Sequence, residues 1–144
     1  MKTSEKNIFF VTNRFPLRPR GKSVEPYSDL VKTLEICLPA KGNPYILGYA
    51  TTQPENALVV LEAEVIKNDV AVMTNGLDRK TCKTIADRFK REGKPTICLN
   101  LDHANIRDVP NKPPWADRIA YRETSPHGRT WCDSLRIELD DIFS

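Results

Sequence analysis

The chain has 144 residues, of which 40% are hydrophobic and 28% are charged. This balance is typical of one soluble globular domain and excludes a disordered chain. Its 22 lysines and arginines against 19 acidic residues give a net charge of +3, which is too small to indicate nucleic-acid binding by itself. No apolar run approaches the roughly 20 residues that a membrane span needs, and the polar start of the chain lacks a targeting core. We therefore expect a soluble cytoplasmic protein with a single domain over residues 1–144 and a flexible tail over 1–6.

The four cysteines lie far apart, without a C-x-x-C pair. Cys82 and Cys98 fall on predicted core faces, and free cysteine is among the most buried residue types. This spacing favours small buried side chains in a reducing compartment over a disulfide framework. The sequence also lacks the histidine and cysteine spacings of metal sites, a P-loop, G-x-G-x-x-G and G-x-S-x-G. We therefore predict no metal and no resident cofactor.

The first predicted elements are a strand, a long loop and a helix. Asn7–Thr12 is β-branched and aromatic, which is typical of a strand. The loop Asn13–Lys22 is longer than most connections, and such loops often carry function. Tyr27–Leu38 has apolar residues at helical spacing. The loop's basic residues, with no acid among them, suit a phosphate, a nucleotide or an acidic partner protein, and equally a solvated loop; they are Arg14, Arg18, Arg20 and Lys22.

A second strand and a second helix follow. Pro44–Ala50 is predicted to be the strand and Ala57–Lys67 the body of the helix. The segment LVVLEAEVI within it could also form a strand. Thr52 as a cap, Pro54 in the first turn and Glu55 near the positive end of the helix dipole favour the helix.

The clearest pattern is a βαβ unit over Asp69–Asp102. Val70–Met73 is a short apolar run of the kind found in buried parallel strands. Asp78 is predicted to cap the following helix, Gly93 to end it, and Thr96–Leu101 to form the next strand. The helix has one apolar stripe at helical spacing, formed by Cys82, Ile85, Ala86 and Phe89.

The C-terminal third is predicted to be a less regular extension over 103–144. His103–Ala116 is proline-rich and predicts a loop, Arg118–Arg122 suggests a strand, and Leu135–Leu139 alternates as an edge strand would. Aromatic and basic residues here suit base stacking on single-stranded nucleic acid, and equally a core flank covered by arginine. These residues are Trp115, Arg118, Tyr121, Arg122, Arg129 and Trp131.

Strands alternating with helices predict an α/β fold, a single Rossmann-like three-layer domain with a mostly parallel sheet and helices on both faces. In such sheets ligands bind beyond the carboxyl ends of the strands. The loops Asn13–Lys22, Thr51–Glu55 and Thr74–Thr81 should meet at that edge. The candidate ligand-binding residues are therefore Asn13, Arg14, Arg18, Arg20, Lys22, Thr74, Asn75, Gly76, Thr81, Asp102 and His103.

Each candidate has a structural alternative. Thr74–Thr81 could be an ordinary βα turn capped by Asp78, whose carboxylate would repel an anion at the helix N-terminus. His103 and His127 could act as general acid or base, yet neither has a partner motif. The catalytic residues, if there are any, are not identified by the sequence.

The βαβ unit resembles a known superfamily. The matching pieces are Asn68-Asp69, VAVMTNG, Thr81, Gly93-Lys94-Pro95 and Leu101-Asp102. The pattern is similar to the YpsA-related molybdenum-carrier branch of the lysine-decarboxylase-like (LOG/SLOG) Rossmann-like nucleotide-binding superfamily, and to nucleoside deoxyribosyltransferases. The resemblance is limited to residues 69–102 and implies nucleotide binding and a homodimer paired through helices. The superfamily's glycine-rich phosphate loop does not follow Thr12, so a bound phosphate would depend on basic side chains.

The leading hypothesis is a domain that binds a nucleotide or nucleotide-derived small molecule at the carboxyl edge of its sheet. If it also catalyses a reaction, cleavage of an N-glycosidic or nucleotide phosphate bond is the first class to test. The alternative is a basic module that binds nucleic acid or a protein without catalysis. Salt dependence separates the two, because phosphate-backbone contacts weaken uniformly as salt rises.

Overall fold

The computed structural model describes residues 5–13, 34, 38, 45–51, 53–104, 111–123 and 130–144, with only the backbone at 103, 104, 122 and 123. The strands are β1 (Lys6–Val11), β2 (Tyr45–Thr51), β3 (Val70–Thr74), β4 (Thr96–Ala104) and β5 (Arg118–Glu123). The helices with described bounds are α1 (Pro54–Lys67), α2 (Arg79–Arg91) and α3 (Trp131–Phe143). Leu34 and Leu38 are helical as well.

The five strands form one sheet in the order β2-β1-β3-β4-β5. Every pair of neighbouring strands is parallel. The predicted α/β fold with a parallel sheet is therefore confirmed. From β1 the chain continues to β2 at one edge of the sheet, and from β3 it continues to β4 toward the other edge. The strand order therefore reverses between the adjacent strands β1 and β3.

The core has two layers because successive strand residues point to opposite faces. On one face Phe9 and Met73 pack with the buried side chains of α1 and α2. On the other face Phe10 and Val72 pack with Leu34, Leu38 and the buried side chains of α3. All five residues of β3 are buried, as expected for a central strand covered by helices on both sides.

The predicted helix at 57–67 is confirmed, and the alternative strand is excluded. Pro54 is its first residue, where its missing N–H costs no hydrogen bond. Its N-cap is Gln53, which makes no side-chain capping bond, whereas the sequence suggested a cap at Thr52, which lies outside the described residues. Asn68 ends the helix.

The βαβ unit is confirmed in detail. Asp78 caps α2 by accepting a hydrogen bond from the backbone N–H of Thr81, and Gly93 adopts a φ of +72° just after the helix. The predicted stripe is buried in full. β4 is longer than expected and continues to Ala104, so the predicted loop begins later than His103.

The predicted edge strand over Leu135–Leu139 is wrong, because these residues lie in α3. Leu135 and Leu139 are buried one helical turn apart, while Ile137 between them is 41% exposed. Thr130 caps the helix with its hydroxyl oxygen, which accepts from the backbone N–H of Asp133 at 3.1 Å. The alternation that suggested a strand therefore came from a helical stripe with one exposed isoleucine.

Two other expectations concern cysteines and membranes. Cys82 and Cys98 are free and buried, as predicted, whereas Cys132 is disulfide-bonded, so buried free thiols do not account for every cysteine.

Among the helices within the described ranges, none has the length and apolar character needed to cross a bilayer. The rest of the predicted helix over 27–38 and the turn over 125–128 lie outside the described residues.

Candidate functional site

The strand order reverses between β1 and β3, and open parallel sheets bind ligands beyond the carboxyl ends of such strands. Thr12 follows β1 and Thr74 ends β3, and both side chains are fully buried. The hydroxyl of Thr74 donates to the hydroxyl oxygen of Thr12 at 2.8 Å. Beside them the amide of Asn13 donates to the carbonyl oxygen of Gly76 at 3.4 Å. These contacts join the ends of the two central strands.

Asn75 connects the end of β3 to the end of β4. Its side-chain oxygen accepts from the backbone N–H of Leu101 at 2.8 Å, and its side-chain amide donates to the exposed carboxylate of Asp102 at 2.5 Å. Its own backbone N–H donates to the carbonyl oxygen of Leu99 at 3.1 Å. The structure thus brings together five of the predicted residues, Asn13, Thr74, Asn75, Gly76 and Asp102.

Thr81 does not join them. Its backbone N–H and hydroxyl both donate to Asp78 Oδ2, at 3.0 and 3.2 Å, and its side chain is buried. The N-terminus of α2 is therefore closed by a carboxylate of the chain itself. Phosphate binding at this helix end is disfavoured, because an anion there would meet the charge of Asp78.

A cleft of about 650 Å³ extends from this turn along α2. Its walls are the turn 74–77, the side of α2 that faces away from α1, and the segment 111–115 that precedes β5. We call it the α2 cleft. Thr74, Asn75 and Gly76 line its end at the carboxyl edge, so the cleft includes three of the five predicted residues that lie together there.

The α2 cleft is basic. Arg79, Lys83, Lys90 and Lys112 line it, and among its described lining residues Asp87 has the one carboxylate. Lys83 pairs with Asp87 at 2.8 Å, and both side chains are at least half exposed, so the pair is easily exchanged for another partner. The hydrogen bond and charge of Lys83 hold the pKa of Asp87 below its usual value. Within the described part of the chain, neither Arg79 nor Lys90 has a hydrogen-bonding or salt-bridge partner.

The opposite wall combines the apolar side chains of Pro113, Pro114 and Trp115 with Asn111 and Lys112, and the floor is apolar. Trp115 is partly buried against the core beneath α1 and α2, and the thiols of Cys82 and Cys98 lie in the floor. Burial raises the pKa of Cys82 to about 12, with smaller contributions from Cys98 and Asp78, and burial alone raises that of Cys98 to about 11. Both thiols are protonated at neutral pH, so they act as small apolar groups and not as nucleophiles.

The remaining predicted site residues cannot be placed. Arg14, Arg18, Arg20 and Lys22 lie outside the described residues, and only the backbone of His103 is described, within β4. In the described ranges no group of three or more histidine, cysteine, aspartate or glutamate side chains could hold a metal ion. The sequence analysis did not predict that 111–115 forms a wall of this cleft. The signals of the cleft in the sequence were Trp115 on this wall and the basic residues on the exposed side of α2.

The chain is similar to the signal receiver domain of the response regulator NarL from Mycobacterium tuberculosis. The two chains share 14% identity over 96% of this chain and 97% of that chain, with a TM-score of 0.51. At this identity the likeness shows the fold alone, a parallel α/β domain. No protein-family model matches the chain and no curated protein matches it, so the resemblance to the YpsA-related branch stays a prediction.

Proposed function

We propose that this protein binds a nucleotide or nucleotide-derived anion in the α2 cleft. The observation that carries the proposal is the combination of a basic side and an apolar, tryptophan-bearing wall around one cleft that opens at the carboxyl edge of β3. Its volume of about 650 Å³ lies within the range of roughly 300–1,000 Å³ that small-molecule sites span.

The two walls suit the two parts of a nucleotide. A base would lie against Trp115 and the neighbouring prolines, since aromatic rings stack favourably on apolar planar surfaces. The phosphates would lie toward α2, where Lys83 and Lys90 supply positive charge through their side chains. This division places no phosphate at the N-terminus of α2, where Asp78 would repel it.

The proposal is one of binding. Among the described residues that line the cleft, the thiols are protonated and the carboxylate of Asp87 is paired with Lys83, so neither the thiols nor this carboxylate is prepared to act as nucleophile or general base. The same binding assay also detects hydrolysis, because the ligand would be consumed over time. An N-glycosidic or phosphate bond is the first to monitor.

The test is a thermal-shift screen against mono- and dinucleotides, cyclic nucleotides and ADP-ribose derivatives, followed by calorimetry on any hit. A ligand at 100 times its dissociation constant stabilises the fold by about 2.7 kcal/mol. The double variant Lys83→Ala/Lys90→Ala should lose affinity by tenfold or more, on the order of 1.4 kcal/mol. Lys80→Ala is the matched control, because Lys80 is exposed on the same helix but does not line the cleft.

Fluorescence locates the bound base. The chain has two tryptophans, and Trp131 packs on the opposite face of the sheet from Trp115. In a Trp131→Phe variant the remaining signal comes from Trp115, and a purine stacked on it should quench that signal. A nucleotide that binds without changing Trp115 emission would contradict the proposed position of the base.

Nucleic-acid binding is the second candidate, because α2 carries six basic residues and one acidic residue. A thermal shift for oligonucleotides only, with affinity that falls steeply and uniformly across sequences as salt rises, would replace the nucleotide proposal with this one. Saturable binding of one nucleotide, sensitive to the Lys83/Lys90 variant, would support the cleft.

A further inference from the structure

The outer face of α1 carries an apolar stripe that points away from the sheet. Val59 is 83% exposed and Ile66 is 74% exposed, the highest values among the large hydrophobic side chains of the described residues. Ala57, Leu61 and Val65 of the same helix are buried against the sheet. The stripe therefore lies on the side of α1 opposite the core, where no described residue covers it.

The stripe has the spacing of a helix-pairing seam. Its exposed residues are Asn56, Val59, Ala63 and Ile66. Their alternating steps of three and four residues match the a and d positions of two heptads. The small side chain of Ala63 permits close approach of a second helix, and an asparagine at an a position is a residue that specifies register and partner number in parallel pairs.

The charges beside the stripe distinguish the two directions of pairing. Glu62 and Lys67 lie on opposite flanks of the stripe, and both are well exposed. Glu62 is at the g position of one heptad, and Lys67 is at the e position of the next. In a parallel pair Glu62 of one copy approaches Lys67 of the other, which is attractive. An antiparallel pair would instead bring the two Glu62 side chains together.

The position of α2 favours the same direction. Arg88 of α2 contacts Glu62 with Nε and Nη2, at 2.8–3.0 Å, so α2 lies on the Glu62 flank of the stripe. In a parallel pair the two α2 helices lie on opposite sides of the interface. An antiparallel pair would place them on the same side, where their excess of basic residues would repel.

We propose that α1 is a homodimer interface and that its occupant is a second copy of this chain, with the two α1 helices parallel about a two-fold axis. One short helix from each copy forms a small interface, so the dimer should be weak and should form as the protein concentration rises. The interface is separate from the α2 cleft, so it does not depend on the proposed ligand.

Sedimentation equilibrium from micromolar to near-millimolar protein tests the dimer. The native chain should shift from monomer to dimer with rising concentration, and Val59→Lys or Ile66→Lys should raise the dissociation constant by about tenfold or more. Ile137→Lys, at an exposed isoleucine on α3, is the control and should dimerise as the native chain does. A native chain that stays monomeric throughout, or lysine variants that dimerise normally, would overturn the proposal.

Cysteine cross-linking tests the direction. In a parallel pair each d residue faces its own counterpart, so Val59→Cys and Ile66→Cys should each form a disulfide-linked dimer alone under mild oxidation. Leu58→Cys, beside the seam, should not. In an antiparallel pair each d residue faces an a residue, so a dimer that cross-links only when the Val59→Cys and Ala63→Cys proteins are mixed would be antiparallel and would overturn the assigned arrangement.

Charge reversal provides an independent check. Glu62→Lys and Lys67→Glu should each weaken the dimer, and the double variant should regain affinity because the attraction between the copies is restored with opposite signs. Melting temperatures of all variants verify that the fold is intact. A double variant weaker than either single variant would contradict the Glu62–Lys67 contact.

Discussion

Gly48 of β2 lies directly against the side chain of Asn68, the residue that ends α1. A Cβ atom at Gly48 would overlap Asn68 Oδ1 and lie 3.0 Å from the carbonyl oxygen of Ile8. Asn68 is held in place, since its Nδ2 donates to the carbonyl oxygen of Glu64 at 2.8 Å and to Glu64 Oε1 at 2.9 Å. The β1–β2 register shifts at the same point and leaves Gly48 without a partner residue. Glycine at 48 therefore permits the close approach of α1's end to the sheet.

Gly48→Ala should lower the free energy of unfolding by about 1–3 kcal/mol, the usual cost of overpacking a rigid site. Denaturant unfolding measures the change. Adding Asn68→Ser to the variant should recover part of the loss, because the shorter side chain removes the overlapping atom. Gly93→Ala is the comparison: its site is open but its φ is +72°, so only backbone strain of about 1 kcal/mol is expected. Equal stability of Gly48→Ala and the native chain would contradict the contact.

The hydrogen bond from Asn75 to Asp102 predicts a pH-dependent variant. Asn75→Asp would place two carboxylates in contact at 2.5 Å, which raises the pKa of one of them. A carboxyl group whose pKa is raised by folding lowers the stability of the fold at pH values above its folded pKa. It has no effect on stability at pH values below its unfolded pKa of about 3.9. The variant should therefore be less stable than the native chain at neutral pH, by about 1 kcal/mol for an exposed pair, and approach it as the pH falls below 4.

The matched control is the exchanged double variant Asn75→Asp/Asp102→Asn. It restores one amide and one carboxylate at the same positions, and the oxygen at 75 can still accept from the N–H of Leu101. Denaturant unfolding at several pH values should give the double variant a native-like pH profile. A single variant whose deficit is the same at pH 4 and pH 7 would show that repulsion between the carboxylates is not its cause.

The βαβ unit could be predicted because its signals are local. β3 is buried on both faces and so forms a continuous apolar run, and Asp78 and Gly93 mark the helix ends by backbone chemistry that depends only on neighbouring residues. α3 was predicted wrongly because Leu135 and Leu139 fit either a strand or a helix. The residue that distinguishes the helix from the strand is Thr130, which caps the helix and lies outside the apolar segment.

The α2 cleft could be predicted only in part. The turn 74–77 follows from the rule that ligands bind beyond strand ends, but the wall at 111–115 depends on distant contacts. The hydroxyl of Thr96 donates to the carbonyl oxygen of Trp115 at 3.1 Å, and the backbone N–H of Thr96 donates to Asp117 Oδ2 at 3.0 Å. No sequence pattern signals these two hydrogen bonds, which position the wall beside α2.

The buried thiols in the floor of the cleft should be unreactive. The pKa values of Cys82 and Cys98, about 12 and 11, keep both protonated at neutral pH, and only the thiolate attacks alkylating reagents. Iodoacetamide at pH 7.5–8 should label them at least about 100-fold more slowly in the native chain than in the unfolded chain, in line with their protection and raised pKa. Mass spectrometry of peptides after a timed pulse gives the rates. Rapid labelling of Cys82 in the native chain would show that the cleft floor is open.

Tyr45 should contribute to loss of stability in alkali. Its buried hydroxyl donates to Asp140 Oδ1 at 2.7 Å, and burial, followed by this hydrogen bond and the nearby charge, raises its pKa above the ordinary 10.0. At high pH the folded state holds the phenol neutral while the unfolded chain ionises it. The stability that the phenol of Tyr45 contributes is therefore complete below pH 10 and is lost as the pH rises through the folded pKa.

Tyr45→Phe should therefore cost about 1 kcal/mol at neutral pH, through loss of the hydrogen bond, and should reduce the decline in stability above pH 10. Denaturant unfolding between pH 7 and 11 measures both effects. The thiols of Cys82 and Cys98 also have raised pKa values and add their own decline from about pH 9, so the comparison is made in a Cys82→Ala/Cys98→Ala background. Parallel alkaline profiles for the chains with tyrosine and phenylalanine at 45 would mean that the phenol ionises as readily in the folded chain as in the unfolded one.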